Sequence, residues 1–164
     1  MIMARDRTRI CPDCGSVMAE SVVELEASGS GYALTLTGVP VASCRHCRTL
    51  LTIDEYGQAG LDSLIIATGE ALETLAPIAQ GELKYLSMHC RKCGAVLSKK
   101  LDTDRGRFRA STQLGTTGLL IGVEYYGSSL TCPKCGIRHP HLPSPLYHSV
   151  RDSLTRAVSH YLQH

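Results

Sequence analysis

The stretch Cys11-Pro12-Asp13-Cys14-Gly15 contains two cysteines three residues apart, and the same C-x-x-C spacing recurs at 44–47, 90–93 and 132–135. All eight cysteines of the 164-residue sequence belong to these four pairs. Two thiolates at this spacing on a tight turn can reach one metal ion, and two such turns complete a tetrahedral, all-sulfur site. The spacing therefore predicts two four-cysteine zinc sites.

The residues after the pairs also suit metal-binding turns. A glycine follows three of them, at Gly15, Gly94 and Gly136. Glycine accepts the positive φ at which backbone N–H groups turn toward the sulfurs. The pair at 44–47 departs from this pattern, because Arg48 stands where glycine is expected.

Three other roles for the cysteines fit the sequence less well. Disulfides need an oxidising compartment, and the first fifteen residues lack the apolar run of a secretory signal, so we expect a cytoplasmic protein. A thioredoxin-like redox pair needs a βαβ context that none of the pairs has. A catalytic zinc ion keeps an open coordination position, which four cysteines per ion do not leave. We therefore expect two structural Zn²⁺ ions and no enzymatic activity.

The segment inside each half of the chain reads as a β-hairpin, which favours a shared site for neighbouring pairs. In the first half, apolar and polar residues alternate over 23–28 and again over 32–37, the turn Ser28-Gly29-Ser30-Gly31 separates the two runs, and Gly38 is expected to break the second run. The predicted ligands are Cys11, Cys14, Cys44 and Cys47 for one ion and Cys90, Cys93, Cys132 and Cys135 for the other.

Two helical segments complete the pattern. Thr52 and Glu55 have the spacing of a capping box, and leucines at helical intervals follow until Pro77, which should end the helix. Glycines within this run, including Gly69, predict a break into two short helices. A last helix is predicted from Ser144-Pro145 onward, with an apolar stripe that either packs on the rest of the chain or pairs with a second copy. The stripe consists of Leu146, Val150, Leu154, Ala157, Val158 and Tyr161.

The predicted fold is a small, metal-dominated α+β protein made of two antiparallel zinc ribbons joined by a helical segment. Its parts are a first ribbon at 1–53, a helical linker at 54–84, a second ribbon at 85–143 and an amphipathic helix at 144–164. With 43% hydrophobic and 20% charged residues, the chain belongs neither to the disordered nor to the membrane class.

The first half resembles the YgiT-type zinc finger, the N-terminal domain of MqsA-like antitoxins. The resemblance covers about residues 9–75. It rests on CPDCG at 11–15, the strand at 22–25, and GVPV at 38–41 followed after two residues by CRHC at 44–47. The resemblance implies one structural zinc ion on the four cysteines of this half and a module that contacts proteins, often a toxin. In that family an operator-binding helix-turn-helix usually follows, whereas here a second ribbon is predicted.

The charges suggest two kinds of partner. Two Zn²⁺ ions displace eight thiol protons and add four charges, so the formal net charge falls from +2 to −2, and any attraction for nucleic acid must be local. A basic segment at 91–109 offers such a surface, with Phe108 as a base-stacking residue. Its tentative contacts are Arg91, Lys92, Lys99, Lys100, Arg105, Arg107, Phe108 and Arg109.

Two other interpretations of the charged segments are open. The charges can belong to ordinary solvated faces, or the acidic helical segment at 54–83 can form a surface that docks a basic protein. The leading hypothesis is an adaptor or regulator that binds a macromolecular partner, most simply a protein, through the first ribbon and its helix. The alternative is a nucleic-acid-binding factor that uses the basic face at 91–109.

Overall fold

The structure, a computed structural model, describes residues 9–53, 60–81, 86–114 and 119–163, with side chains through residue 161. Within these ranges the chain forms nine strands and two helices, and the sheets are antiparallel, so the predicted α+β class is confirmed. The elements are β1 (Ala19–Gly29), β2 (Tyr32–Ser43), β3 (Leu50–Thr52), α1 (Leu61–Leu75), β4 (Ile78–Gln80), β5 (Ser87–His89), β6 (Gly106–Gln113), β7 (Leu120–Gly127), β8 (Ser129–Thr131), β9 (Arg138–Pro140) and α2 (Leu146–Gln163).

A central five-stranded sheet joins the two halves of the chain. Its order is β1-β2-β7-β6, and β3 pairs with the far end of β2. The seam between the halves runs from the pair Tyr32–Gly127 to the pair Thr37–Gly122. Because β2 and β7 are antiparallel, the two hairpins lie about the seam in a roughly two-fold arrangement. The cysteines that follow β2 and those that follow β7 therefore lie toward opposite ends of the sheet.

Strand β2 changes partners along its length. Up to Thr37 its second edge pairs with β7, and from Val41 to Ser43 that edge pairs with β3. The residue between these parts, Gly38, has φ +74°, and the register with β1 shifts opposite it, between Val23 and Leu25. The expectation that Gly38 breaks the strand is wrong, because a bulge at this position bends β2 without ending it.

One face of the sheet carries the main core. The inward side chains of β1, β2 and β7 alternate with exposed ones, as a sheet covered on one side requires. Helices α1 and α2 cover this face, and the buried cluster spans both halves of the chain. Its largest fully buried members are Leu25, Leu34, Leu36, Leu64, Ile65, Leu72, Ile121, Tyr125 and Leu154.

Helix α1 is continuous from Leu61 to Leu75, so the break expected at Gly69 is wrong, whereas the earlier part of the predicted run, at 54–59, lies outside the described residues. Gly69 lies at its centre against the ring of Tyr147 on α2, where a β-carbon would have no room. The helix interior therefore contains glycine because the two helices approach closely there. The helix ends before Pro77, as predicted.

The start of α1 differs from the expectation. Thr52 lies in β3, and its hydroxyl donates to the carbonyl of Gly60, which is the residue that precedes the helix. The predicted cap at Thr52 is therefore wrong, and its partner Glu55 lies outside the described residues. The pairing of 50–52 with β2 holds this segment as a strand.

Helix α2 packs inside the chain. Val150, Leu154 and Ala157 from its predicted stripe are buried in the main core, whereas Tyr161 is 41% exposed. The Tyr32 hydroxyl lies 2.6 Å from the Ser149 hydroxyl, which fixes the helix on β2. The stripe thus has partners within the chain, and a dimer through this helix stays a prediction. In the described part of the chain, both helices are too short or too polar to cross a bilayer.

Candidate metal centres

The structure gathers the cysteines into the two groups that the sequence predicted, and each group could hold one metal ion. Within each group all four sulfurs lie within 4.8 Å of one another. A tetrahedral ion with bonds of about 2.3 Å to sulfur holds its sulfurs about 3.8 Å apart. The close Sγ–Sγ distances of 3.5 Å match this spacing; they join Cys14 to Cys44, Cys90 to Cys135 and Cys93 to Cys132. We call the group at 11–47 the first centre and the group at 90–135 the second centre.

All four C-x-x-C turns share one backbone structure. The residue after the second cysteine donates its N–H to the carbonyl of the first cysteine at 2.9 Å in every turn. The N–H of the first cysteine donates to the carbonyl two residues beyond the second, at 2.8–2.9 Å. The flanking residues then pair as short antiparallel bridges. These pairs are Ile10–Val17, Ser43–Leu50, His89–Val96 and Thr131–Arg138.

The turns require a left-handed residue after the second cysteine. Gly15, Gly94 and Gly136 take φ of +74°, +76° and +78° there. Arg48 occupies the same position in the remaining turn with φ +55°, and among the described residues it is the one non-glycine with positive φ. A side chain in this conformation costs about 1 kcal/mol, so the first centre carries backbone strain that the second lacks.

Each centre has two sulfurs inside the protein and two at the surface. The first cysteine of every pair is 1–2% exposed, and the second is exposed. Around the buried sulfurs lie only small apolar clusters, which are separate from the main core. Met18, Ala42 and Ile53 surround the first centre, and Leu97 with Met88 and Ala95 surrounds the second. These clusters are too small to hold the turns by apolar burial alone, so an ion bound by each cysteine group would supply stability that the apolar contacts lack.

The thiols of the first centre differ in acidity. The hydroxyl and backbone of Ser16 hydrogen-bond the Cys14 sulfur and lower its pKa to about 6. The hydrogen bond with Cys14, burial and the Cys14 charge raise the pKa of Cys47 to about 12. In the second centre, the backbone N–H of Cys135 is the main cause that lowers the pKa of Cys132 to about 6. Each centre thus has a sulfur ready to ionise, and a cation is needed to hold all four as thiolates.

Arg91 ties the second centre to helix α1. Its Nε donates to the carbonyl of Ala76 and its Nη2 to that of Glu73, both at 2.9 Å. Helix α1 has no basic residue in its own last turn, so Arg91 satisfies carbonyls that the helix leaves open. Arg91 is one of the predicted nucleic-acid contacts, and here its guanidinium is engaged with the protein backbone.

His139 is a structural residue of the second centre that sequence reasoning missed. It is 2% exposed, and its Nε2 accepts the backbone N–H of Arg91 at 3.1 Å. Burial, with a smaller contribution from the Arg91 charge, lowers its pKa and favours the neutral ring. The sequence offers no local signal for this role, because 48 residues separate the two groups.

Asp102 fastens the loop before β6 to the hairpin β8–β9. Its Oδ2 accepts the hydroxyls of Ser129 and Thr131, both at 2.8 Å, and lies 3.5 Å from Nε of Arg138. Burial opposes its ionisation, but these hydrogen bonds and the Arg138 charge outweigh it and lower the pKa of the carboxyl. Because Thr131 directly precedes Cys132, this network positions the last turn of the second centre.

The basic segment places three arginines on the open face of the sheet. Arg107 and Arg109 both pair with Glu124 on β7, at 3.0 and 3.1 Å. The guanidinium carbons of Arg107 and Arg105 lie 5.1 and 5.7 Å from the centre of the Tyr126 ring. Tyr126 is a residue that sequence reasoning missed, because its position beside Arg107 depends on the register of β6 with β7.

Phe108 lies on the opposite face of β6 from its neighbours. Its ring packs on the main core, with its centroid 6.5 Å from that of Tyr125. The two-residue period of a strand already separates Phe108 from Arg107 and Arg109, a signal that was in the sequence. Of the other predicted contacts, Lys92 lies exposed on a turn of the second centre, and Lys99 and Lys100 lie exposed before β6.

Comparison of the chain with protein-family models, with characterised proteins and with solved structures found no match. The resemblance of the first half to the YgiT-type zinc finger therefore stays a prediction that rests on its motifs. What is established for this protein is an α+β fold with two four-cysteine groups, each compatible with one metal ion.

Proposed function

We propose that the protein is a zinc-stabilised, non-enzymatic adaptor that binds another protein through its first ribbon. Zinc suits both centres because it prefers four thiolates in a closed tetrahedron and has no redox chemistry. Four cysteines fill the coordination sphere of each ion, so neither site offers a position for a substrate or water. The ions stabilise the turns, and the function then lies on the surface that the turns shape.

The observation that carries this proposal is an exposed apolar pair beside the first centre. Ile10 and Val17 are cross-strand neighbours on either side of the first turn, and they are 61% and 67% exposed. The equivalent pair at the second centre is polar on one side, since His89 replaces the isoleucine and bonds to Ser87 and Gly94. Burial of an aliphatic side chain by a partner contributes about 1.5–3 kcal/mol. The resemblance to an antitoxin domain that contacts proteins supports the same half of the chain.

The metal is tested by native mass spectrometry together with elemental analysis of the protein isolated from its host. We expect two zinc ions per chain. No ion, one ion, or iron in place of zinc would contradict the proposal.

The contact surface is tested with a tagged chain purified from its host at low salt. We expect a protein to co-purify with the wild type and to be lost in the variant Ile10→Ser/Val17→Ser. Val96→Ser is the matched control, because Val96 has the same turn position at the second centre and is 60% exposed. If both variants hold two zinc ions and retain the partner protein equally, binding at the first centre would be refuted.

The second candidate function is nucleic-acid binding by the face that carries Arg105, Arg107, Arg109 and Tyr126. Three arginines gather on this face, and two of them, Arg105 and Arg107, lie over the ring of Tyr126, which favours it, whereas the Glu124 carboxylate shared by Arg107 and Arg109 offsets part of the charge. Replacing the three arginines with alanine should abolish salt-sensitive binding of single-stranded DNA or RNA and leave the protein partner bound.

A further inference from the structure

We propose that β6 is a docking edge for an acidic, extended segment of a partner protein, which adds to the central sheet as a further strand. This surface is separate from the apolar pair at Ile10 and Val17, so the inference does not depend on the proposed function of the first ribbon.

Strand β6 lies at the edge of the central sheet. Among the described residues, the eight-residue strand β6 forms ladder hydrogen bonds with β7 alone and ends the sheet. The hairpin β8–β9 packs at the start of β6, where Arg138 lies beside Gly106 and donates to the carbonyl of Asp104. Beyond that point, alternate residues of β6 present their N–H and C=O groups outward, which is the template that an added strand uses.

The edge formed by β6 is positively charged. The side chains of Arg107 and Arg109 are 69% and 79% exposed, and both pair with Glu124, while Glu24 lines the shallow pocket beside Arg109. Arg105 hydrogen-bonds the neutral carbonyl of Gly31, and within the described ranges it forms no salt bridge. The three arginines outnumber the carboxylates of Glu124 and Glu24 by one charge, and the exposed Lys99 precedes them in the chain. Carboxylates on an added strand would complement this excess.

The β6 edge suits a peptide better than a nucleic acid or a second copy of this chain. Phe108 faces the core, and the Tyr126 ring already lies under two guanidinium groups, so neither ring is free to stack a base. The backbone of an extended peptide has N–H and C=O groups at the same spacing as those of β6, so the two can form hydrogen bonds along the edge. A nucleic acid has no donors and acceptors at that spacing. A second copy that docked its own β6 would bring Arg107 and Arg109 against the same residues, which like charges oppose.

The test measures binding of a fluorescently labelled eight-residue peptide in which Glu alternates with Thr, using the full zinc-loaded chain and fluorescence anisotropy. We expect saturable binding that weakens as salt is raised. The variant Arg107→Glu/Arg109→Glu should weaken binding by about tenfold or more. Arg45→Glu is the matched control, because Arg45 is exposed on a turn of the first centre, and it should bind as the wild type does.

Two N-methylated peptides test strand addition itself. One carries methyl groups on its odd backbone amides and the other on its even ones, with identical charge. A strand pairs with its neighbour through alternate residues only, so one of the two peptides should lose binding and the other should keep it. Equal binding of both would reduce the contact to unspecific charge attraction and overturn the proposal.

Three further results would also overturn it. These are no binding of the acidic peptide, tighter binding of oligo-dT that the same double variant abolishes, and sedimentation that reveals self-association through β6. The last result would assign the edge to a second copy, whose β1 offers the exposed Glu24 and Glu26.

Discussion

The two metal centres are built from the same turn but are held to the sheet in different ways. At the first centre the strands themselves enter the site, since Ser43 at the end of β2 precedes Cys44 and β3 follows three residues after Cys47. At the second centre β7 stops at Gly127, and the last turn sits on the separate two-stranded sheet β8–β9. Backbone continuity positions the first centre, and side-chain hydrogen bonds position the second.

This contrast explains where the polar networks of the protein lie. Arg91, His139 and Asp102 all serve the second centre. At the first centre the comparable contact is a hydrogen bond of 2.9 Å between the exposed side chains of Thr49 and Asp13. A centre that is an extension of the sheet needs few such bonds, whereas one on a detached hairpin needs several. The predictions below test this difference.

The largest effect is expected on metal removal. A structural zinc ion supplies on the order of 10 kcal/mol in units of this size, so a chelator should unfold the turns of both centres. The seam between β2 and β7 should stay protected, because its core is separate from the cysteine clusters. Hydrogen exchange followed by mass spectrometry measures both regions. Simultaneous loss of protection across the seam would show that the sheet depends on the metal as well.

Arg91→Ala should give the next largest effect. It removes two hydrogen bonds from a charged donor to the end of α1 and should lower the free energy of unfolding by about 1–2 kcal/mol. Arg45→Ala, at the exposed position after Cys44, serves as the control and should change stability by less than about 0.5 kcal/mol. Urea denaturation of the zinc-loaded proteins checks both values. Equal losses would contradict the difference between the centres.

Asp102→Asn should lower stability by about 1 kcal/mol at neutral pH, because the carboxylate is partly exposed and pairs with Arg138. The folded-state pKa of Asp102 lies below its unfolded value, so its contribution is present above the unfolded pKa, about 3.9, and is lost as the pH falls through the folded pKa. The difference in unfolding free energy between wild type and variant should therefore shrink on acidification below about pH 4. A difference that stays constant there would exclude this ionisation as the cause.

The smallest effect concerns the turn residues. Arg48→Gly should raise stability by about 0.5 kcal/mol, because glycine relieves the strain of positive φ but costs some entropy. Gly136→Ala at the equivalent position of the second centre should lower stability by about 1 kcal/mol, since open space surrounds it and φ alone opposes the change. Thermal unfolding of both variants provides the comparison. A loss of stability in Arg48→Gly would mean that the Arg48 side chain contributes a contact worth more than the strain.

Features set by neighbours in the chain were predictable from the sequence. The cysteine spacing determined the four metal-binding turns, because a C-x-x-C turn forms within about six residues, and the hairpin pattern between the turns predicted which of them share a group. Alternation determined the first hairpin, and Pro77 determined the end of α1, since proline cannot continue a helix. These are local consequences of backbone geometry.

Features set by distant contacts came only from the tertiary structure. The seam between β2 and β7 depends on a register between strands some 90 residues apart, and it decides that Tyr126 joins Arg107 on the open face. The close approach of Tyr147 makes Gly69 acceptable inside a helix, and pairing with β2 makes Thr52 a strand residue although its sequence suits a cap. The sequence by itself determined the metal-binding turns and hairpins, whose geometry is encoded over a few residues. The tertiary structure alone decided how the two halves share one sheet, because that depends on which apolar faces of the strands and helices are buried against each other.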